Sequence, residues 1–517
     1  MNFILAILSS LLIAAAFPTV FGQVRLPNLG FLAWVALVPL FFAIRNAAPR
    51  RAFGLTFLAS IVWYFVSLGW LYTALTTYGH LDSLVSIGVL TLMMVILATY
   101  ISLAPMMAAW VEKRLGIGRF WTIPLFWVAL EFSRNYLPCN GFPWGNITNS
   151  QYAYLPIIQV VDVAGVYGLT YVMVVVNCAV TLLCCRAVWN SKKIVFACAL
   201  FIATLVYGYT RLHFIDKEQS SWPSIRVAAL QGNIPQDDKG VLGEEVLQLI
   251  PYRKYTEMLK TSGVNLIIWP ESAYPWVLLD NKKDVPPALL GLDGAESYLL
   301  TGVLTEQTGV RERTLYNSMM LLDSGGNIIG RYYKSHLVPF GEHVPYKKLL
   351  FFAKKLVAPV GNFAVGKDLT PLYTDDYQIG GLVCYEDIFP EIARTLTRNG
   401  ANFLAVITND AWYGRSSAAF QHLAISVFRA VENRRWMIKA ANSGLSAMID
   451  AKGQIISKTD IFEEGMIVAN MKLGVGNSLY TKYGDWFAWM CVAICACIVS
   501  FSGITRLKYD IIKRTEG

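Results

Sequence analysis

Residues 379–391 read IGGLVCYEDIFPE. The apolar run Ile379–Val383 has the composition of a buried strand, and it breaks at Cys384 into an acidic turn. Pro390 then suits the first turn of a helix. A strand that feeds a helix marks an α/β protein. In open α/β sheets, ligands and chemistry gather at the carboxyl ends of strands. Cys384 stands at that junction, and of the nine cysteines it alone falls in the polar segment 212–484. A thiol without a local partner cannot serve as a disulfide staple, so the position calls for a chemical reading.

Two further strand ends supply one. The run VNLIIWPES (264–272) ends in Glu271, and IIGRYYK (328–334) ends in Lys334. A thiol, a carboxyl and an amine divide acyl transfer among them. Cys384 acts as nucleophile in its thiolate form, with the amides and dipole of the following turn and helix favouring a negative sulfur. Glu271 takes the thiol proton and returns it to the leaving group. Lys334 and the backbone N–H after Cys384 stabilise the tetrahedral oxyanion. Such a set runs through a thioester and requires no metal and no cofactor. Taken singly, each residue has a commoner use: a packed core cysteine, a solvated edge lysine and a loop-capping glutamate. The three strand ends together favour chemistry.

Around these positions, β-branched runs alternate with helical stretches near 244–262, 388–399 and 417–434. Ser324–Asn327 and Asp450–Gly453 carry hairpin signals. Hairpins mixed with strand–helix units predict an α/β sandwich rather than a doubly wound parallel sheet. Residues 280–295 and 346–366 lack periodicity and read as loops. Asn233, Asn409 and Asn442 follow or end strands and either satisfy backbone amides near the site or simply form turns.

The rest of the 517-residue chain is apolar. Mean hydropathy is +0.44 and 15% of residues are charged, too few for an ordinary soluble protein. Eight predominantly apolar runs are long enough to approach a bilayer crossing: 3–22, 28–44, 53–75, 83–111, 120–137, 163–185, 194–211 and 485–505. The first lacks the basic flank of a signal peptide. Lys and Arg concentrate in alternate loops (Arg45, Arg50, Arg51; Lys113, Arg114, Arg119; Arg186, Lys192, Lys193; Arg506, Lys508, Lys513, Arg514). The positive-inside rule then makes both termini cytoplasmic and puts 212–484 on the far side. The expected organisation is a seven-helix membrane part over 1–211, an extramembrane domain over 212–484, and a last helix with its tail over 485–517. The net charge of +9 reflects topology and gives no support to nucleic-acid binding. Glu131 and Asp162 stand at span ends and nothing charged lies mid-span, which argues against an ion-coupled transporter. Tyr136, Phe142, Trp144, Tyr152 and Tyr154 read as an interfacial aromatic belt, the base-rate use of such residues, or alternatively as the lining of a lipid entrance.

The text around the three strand ends is also recognisable. WPESAYPW (269–276), YYKSHLVPFGEHVPY (332–346) and VCYEDIFPE (383–391) resemble the Glu-Lys-Cys signatures of the nitrilase, or carbon–nitrogen hydrolase, superfamily. LQGNIPQ (230–236), TNDAWYG (408–414), QHLAISVFRAVENRRW (421–436), AANSGLSAMID (440–450), GFPWGNITNSQ (141–151) and VDVAGVYGLTYV (161–172) narrow the likeness to its membrane branch, the apolipoprotein N-acyltransferases. The resemblance implies an αββα sandwich on an eight-helix transmembrane bundle in the bacterial inner membrane, with the catalytic domain facing the periplasm. It implies transfer of an acyl chain from a phospholipid, typically phosphatidylethanolamine, to the N-terminal amine of a diacylglyceryl-modified apolipoprotein. By motif, Glu271, Lys334 and Cys384 carry the catalysis, supported by Glu342, Tyr385 and Glu386. His343 stands where tyrosine is commoner, beside rather than at a catalytic position.

A donor with two acyl chains does not leave the bilayer cheaply, at ~0.8 kcal/mol per exposed CH₂, so the site must come to the lipid. The apolar stretch 346–365, flanked by Lys347, Lys348, Lys354 and Lys355, reads either as a loop dipping into lipid or as a covered core segment. A membrane-tethered amidase and a non-catalytic scaffold are the alternative functions.

Overall fold

The computed structural model describes residues 1–21, 24–185, 191–239, 243, 245–309, 313–343 and 363–515. The expectation of a lipid-dipping or lid segment over 346–365 falls largely on 346–362, which lie outside the described residues.

Two β-sheets build the extramembrane domain. One runs Gly465–Lys472, Ser224–Gln231, Leu266–Ile268, Tyr298–Glu306, Leu315–Leu322, Ile328–Tyr333 in spatial order, with Leu278–Leu279 added beside Tyr298–Glu306. The other runs Ile455–Lys458, Ala447–Ile449, Met437–Ala441, Phe403–Thr408, Gln378–Val383, Leu372–Tyr373. Each has a parallel centre, joined through helices, and antiparallel flanks; hairpins make the flanks except where Gly465–Lys472 returns beside Ser224–Gln231. Both predicted hairpins are present.

Side-chain alternation shows how the sheets stack. In Phe403–Thr408, Phe403, Ala405 and Ile407 share a core with Ile225, Val227, Ala229, Leu266 and Met319 of the opposite sheet. Leu404 and Val406 point the other way, onto helices Pro390–Arg398 and Ala418–Asn433. In Ser224–Gln231 the phase repeats, with Ala228 and Leu230 packing on helix Glu245–Leu259. A strand that buries both faces needs apolar residues at every position, and these runs have them. The layers are therefore helix, sheet, sheet, helix. One central strand, Met437–Ala441, was not legible in the sequence, because Arg434, Arg435 and Lys439 interrupt the apolar run; Lys439 is fully buried.

Among the described residues, five helices are long and apolar enough to cross a membrane: Pro49–Leu68, Ser83–Leu115, Val161–Cys184, Lys192–Ser220 and Trp486–Gly503. The other apolar runs form shorter elements, Asn2–Ala16, Gly30–Trp34 followed by Val38–Ile44, and Arg119–Ser133. A 15-residue helix such as Asn2–Ala16 spans only about 22 Å, against a hydrocarbon core of about 30 Å. These shorter helices pack with the long ones in one continuous apolar cluster.

That cluster continues into the extramembrane domain through helix Ala418–Asn433. Gln421 on this helix accepts from Trp144 Nε1 at 2.8 Å and Trp70 Nε1 at 3.3 Å, and donates to Ser67 O at 3.0 Å. Trp144 is thus buried in the seat between bundle and domain rather than lying in an aromatic belt. At the helix's other end Arg434, at φ 50°, contacts Asp162 Oδ2 at 2.7 Å and Gln159 Oε1 at 2.6 Å. Asp162 also binds Arg211 and Tyr207. Both ends of the helix are pinned to the membrane part.

Candidate active site

Lys334 and Cys384 each stand immediately beyond a strand, and Glu271 three residues beyond one. Lys334 is still tied to the sheet, donating from its N–H to Asn317 O at 2.9 Å, so its side chain has little freedom. Its ammonium lies 2.9 Å from Glu342 Oε1 and 3.7 Å from Glu271 Oε1. Asn317 Nδ2 bridges the two carboxylates, donating at 2.8 Å to each. The backbone N–H of Asn409 donates to Glu271 Oε2 at 2.9 Å, and that of Val338 to Glu342 Oε2 at 2.8 Å. Every carboxylate oxygen in the cluster is therefore held. Burial alone would lower the Lys334 ammonium, but the charges of Glu342 and Glu271 outweigh it and raise it well above the ordinary amine value. Lys334 remains a cation throughout the physiological range.

Gly302 lets this happen. A Cβ there would lie 2.6 Å from Glu271 Cα and 2.5 Å from Ser272 N, so the strand approaches the Glu271 turn only because the side chain is absent.

Cys384 is buried and adopts φ 52°. A non-glycine residue in that region is uncommon and clusters at functional sites. The thiol lies within electrostatic reach of Glu271 and Lys334. The segment Cys384–Ile388 is a 3₁₀ turn, and the helix begins only at Pro390. The expected thiolate is not favoured. Burial, then Glu271 and Asp410, push the thiol well above its usual value against the opposing pull of Lys334 and Thr408. The resting sulfur is a neutral thiol, and a base must remove its proton as it attacks.

The two residues after Cys384 serve different ends. Glu386 is fully buried. Its Oε1 accepts from Tyr332 OH at 2.7 Å, Ser335 N at 2.7 Å, Ser335 Oγ at 2.6 Å and His336 N at 3.2 Å, while Oε2 accepts from Val383 N at 2.8 Å. It ties the segment after Lys334 to the strand before Cys384. Tyr385 donates to Gly141 O at 3.1 Å, reaching from the thiol's neighbour to the membrane part. His336, lowered to about 4 by burial and by Lys334, is neutral and is no rival base. His343 is half-buried, its carbonyl accepting from Phe340 N at 2.8 Å.

The asparagines divide. Asn442 holds the chain after Ser224–Gln231, accepting from Ile234 N at 3.1 Å and donating to Ile234 O at 2.8 Å. Asn409 reaches the site through its backbone amide, and its side chain binds Gln236 at 2.6 Å. Asn233 takes φ 49° in the turn. Asn317 and Lys239 were missed by the sequence reading. Asn317 is a polar residue in an otherwise core-facing strand, which is the signal that would have found it. Lys239 Nζ donates to Glu271 O at 3.4 Å, and burial lowers its ammonium to about 8 against the pull of Glu271. Among the described residues, no group of three or more His, Cys, Asp or Glu side chains is placed to hold a metal ion.

Family models and relatives match both halves of the chain. The carbon-nitrogen hydrolase model matches residues 226–479, and the model of the apolipoprotein N-acyltransferase N-terminal domain matches 9–179. An apolipoprotein N-acyltransferase of Geobacter metallireducens is 38% identical over 516 residues, covering 97% of this chain and 95% of that protein. Those of Methylococcus capsulatus and Chlorobaculum tepidum are 31% and 29% identical, over 92% and 98% of this chain and 92% and 97% of theirs. With both halves matched and the likeness running nearly end to end, this chain belongs to the apolipoprotein N-acyltransferase family.

Proposed function

We propose that this chain moves a fatty acyl group from a membrane phospholipid, through a thioester on Cys384, to the N-terminal amine of a diacylglyceryl-cysteine apolipoprotein. The observation that carries the reading is the cluster itself: Lys334 between Glu342 and Glu271, with the Cys384 thiol beside them, on a domain whose helix layer is seated on the membrane bundle.

Glu271 takes the S–H proton as sulfur attacks the ester carbonyl. The oxyanion forms against Lys334 and the N–H of Tyr385. The C–O bond breaks, and Glu271 returns the proton to the alcohol oxygen of the departing lysophospholipid. In the second half, the acceptor amine attacks the thioester and gives its proton to Glu271. The C–S bond then breaks, and the proton passes to sulfur. The net change is ester plus amine to alcohol plus amide. Glu342, fixed by Val338 and Asn317, keeps Lys334 charged and aimed.

The same reading includes eight crossings, with the three shorter apolar elements completing the five long helices. It also places both termini in the cytoplasm, the domain in the periplasm and the protein in the inner membrane, with phosphatidylethanolamine as donor. Intact-protein mass spectrometry after incubation with phosphatidylethanolamine tests it. A fatty acyl adduct mapped to Cys384 and absent in Cys384→Ser supports it. Hydrolysis of small amides with no lipid adduct would instead establish the tethered amidase.

A further inference from the structure

One set of buried ionisable groups takes no part in the steps above. Strands Gln378–Val383 and Phe403–Thr408 run parallel with Val383 opposite Ile407, so Cys384 and Thr408 leave the sheet side by side. Thr408 is among the groups that act on the Cys384 sulfur, and its hydroxyl donates to Asp410 Oδ1 at 2.9 Å. Asp410 Oδ1 also meets His422 Nδ1 at 3.0 Å. His422 Nε2 lies 3.6 Å from Asp387 Oδ2, and that oxygen lies 3.3 Å from Lys439 Nζ. Ser426 joins the last two, donating to Asp387 and accepting from Lys439 at 3.1 Å. All six of these side chains are buried.

Buried charges of this kind are weak stabilisers, since apolar side chains of similar shape commonly do as well or better. This set is also incompletely bonded: Asp410 Oδ2 and Asp387 Oδ1 have no hydrogen-bond partner among the described residues. A purely structural filler would not be built so. Burial pushes the Asp410 carboxyl up, but His422, Lys439 and Thr408 together hold it below the usual carboxylate value. It is therefore an acceptor, and His422 Nδ1 carries the proton between them.

A hydroxyl has one proton to donate. While Thr408 gives it to Asp410, it presents only lone pairs to the sulfur. When negative charge develops on Cys384, the same proton can turn to Sγ, because Asp410 keeps its bond from His422. We propose that Thr408 is a positioning residue for Cys384: Asp410, itself held by His422, restrains its hydroxyl in the resting enzyme, and the hydroxyl turns to the sulfur as the thioester C–S bond breaks. No proton changes owner; one hydrogen bond is exchanged for another. The His422 ring also lies 5.5 Å from that of Trp144, so the end of this chain remote from the thiol rests on the bundle.

The test is the pH profile of Cys384 alkylation by iodoacetamide, read by site-resolved mass spectrometry on the full-length protein in detergent. The thiolate is the reacting species. The other groups facing the thiol, Glu271, Lys334, Tyr413 and Tyr385, are the same in every variant. Thr408→Val keeps the volume, removes the donor and is expected to move the profile up by about one pH unit, a roughly tenfold slower reaction at fixed pH. Thr408→Ser restores the wild-type profile. Asp410→Asn removes an opposing charge and frees the hydroxyl, so its profile moves down. In acyl transfer, Thr408→Val lowers kcat and leaves KM for the lipid in place. Superimposable alkylation profiles for wild type and Thr408→Val overturn the proposal.

The inference rests on Cys384 being the nucleophile, yet its assay needs no lipid. Absence of an acyl adduct on the wild-type protein would sink the acyl-transfer reading and leave the alkylation result standing. A normal adduct with an unshifted profile would sink only the role of Thr408.

Discussion

Removing the Glu386 carboxylate should disable the enzyme without touching a reacting atom. Five donors converge on it from three places: Tyr332, the Ser335–His336 turn and Val383. In Glu386→Gln the amide oxygen can serve the four donors of the Oε1 side, but the new NH₂ then faces the Val383 N–H across 2.8 Å. Losing one charged hydrogen bond costs about 1.5–3 kcal/mol, or roughly 4–8 °C in Tm for a domain of this size. Glu386→Ala strands all five donors, and a loss of about 5 kcal/mol is comparable to the entire stability of many domains. Because Glu386 ties the Lys334 segment to the Cys384 strand, a shift of about 1 Å between them should slow acylation by on the order of a hundredfold. Burial, the largest influence, pushes the Glu386 carboxyl above its usual value despite these bonds. The wild-type protein therefore loses some stability as pH rises through that range and regains it as pH falls; the Gln variant lacks this dependence. Differential scanning fluorimetry in detergent and the rate of acyl-adduct formation read both effects. A Gln variant that melts and acylates like wild type would refute the reasoning.

Three further outcomes are expected. Gly302→Ala should keep the fold and slow acyl-adduct formation by at least about tenfold, since the added carbon meets the Glu271 backbone rather than a flexible side chain; an unchanged rate would show that the Glu271 turn tolerates displacement. Asp162→Ala leaves Arg434 buried without its partner and should cost about 3–5 kcal/mol, seen as a lower melting temperature and easier proteolytic release of the extramembrane domain. With the Lys239 ammonium lowered from 10.5 to about 8, the unfolded chain binds more protons between those values, so wild-type stability should rise across that window. Lys239→Met should abolish that rise in alkaline melting curves.

The strand and helix pattern of the domain was legible because a strand that buries both faces must be apolar throughout, as the run Ile379–Val383 is within strand Gln378–Val383. Met437–Ala441 was hidden by Lys439, whose charge is accommodated only because Asp387, distant in sequence, lies beside it. Glu271, Lys334 and Cys384 were legible as strand ends and by their surrounding motifs. Asn317 was not: a polar residue in a core-facing strand signals a buried partner, but only the fold shows that the partners are the carboxylates of Glu271 and Glu342.

By itself the sequence determined which segments are apolar enough to sit in a membrane, which alternate as strands, and which three residues could share one chemistry, because these follow from composition and local periodicity. The tertiary structure alone decided the protonation of the sulfur, since burial and two neighbouring carboxylates hold Cys384 as a thiol where a local helix dipole suggested the reverse. It alone showed that Trp144 and helix Ala418–Asn433 form the seat on the bundle. Desolvation and charge pairing depend on what comes to lie within a few ångströms, and chain neighbours do not specify that.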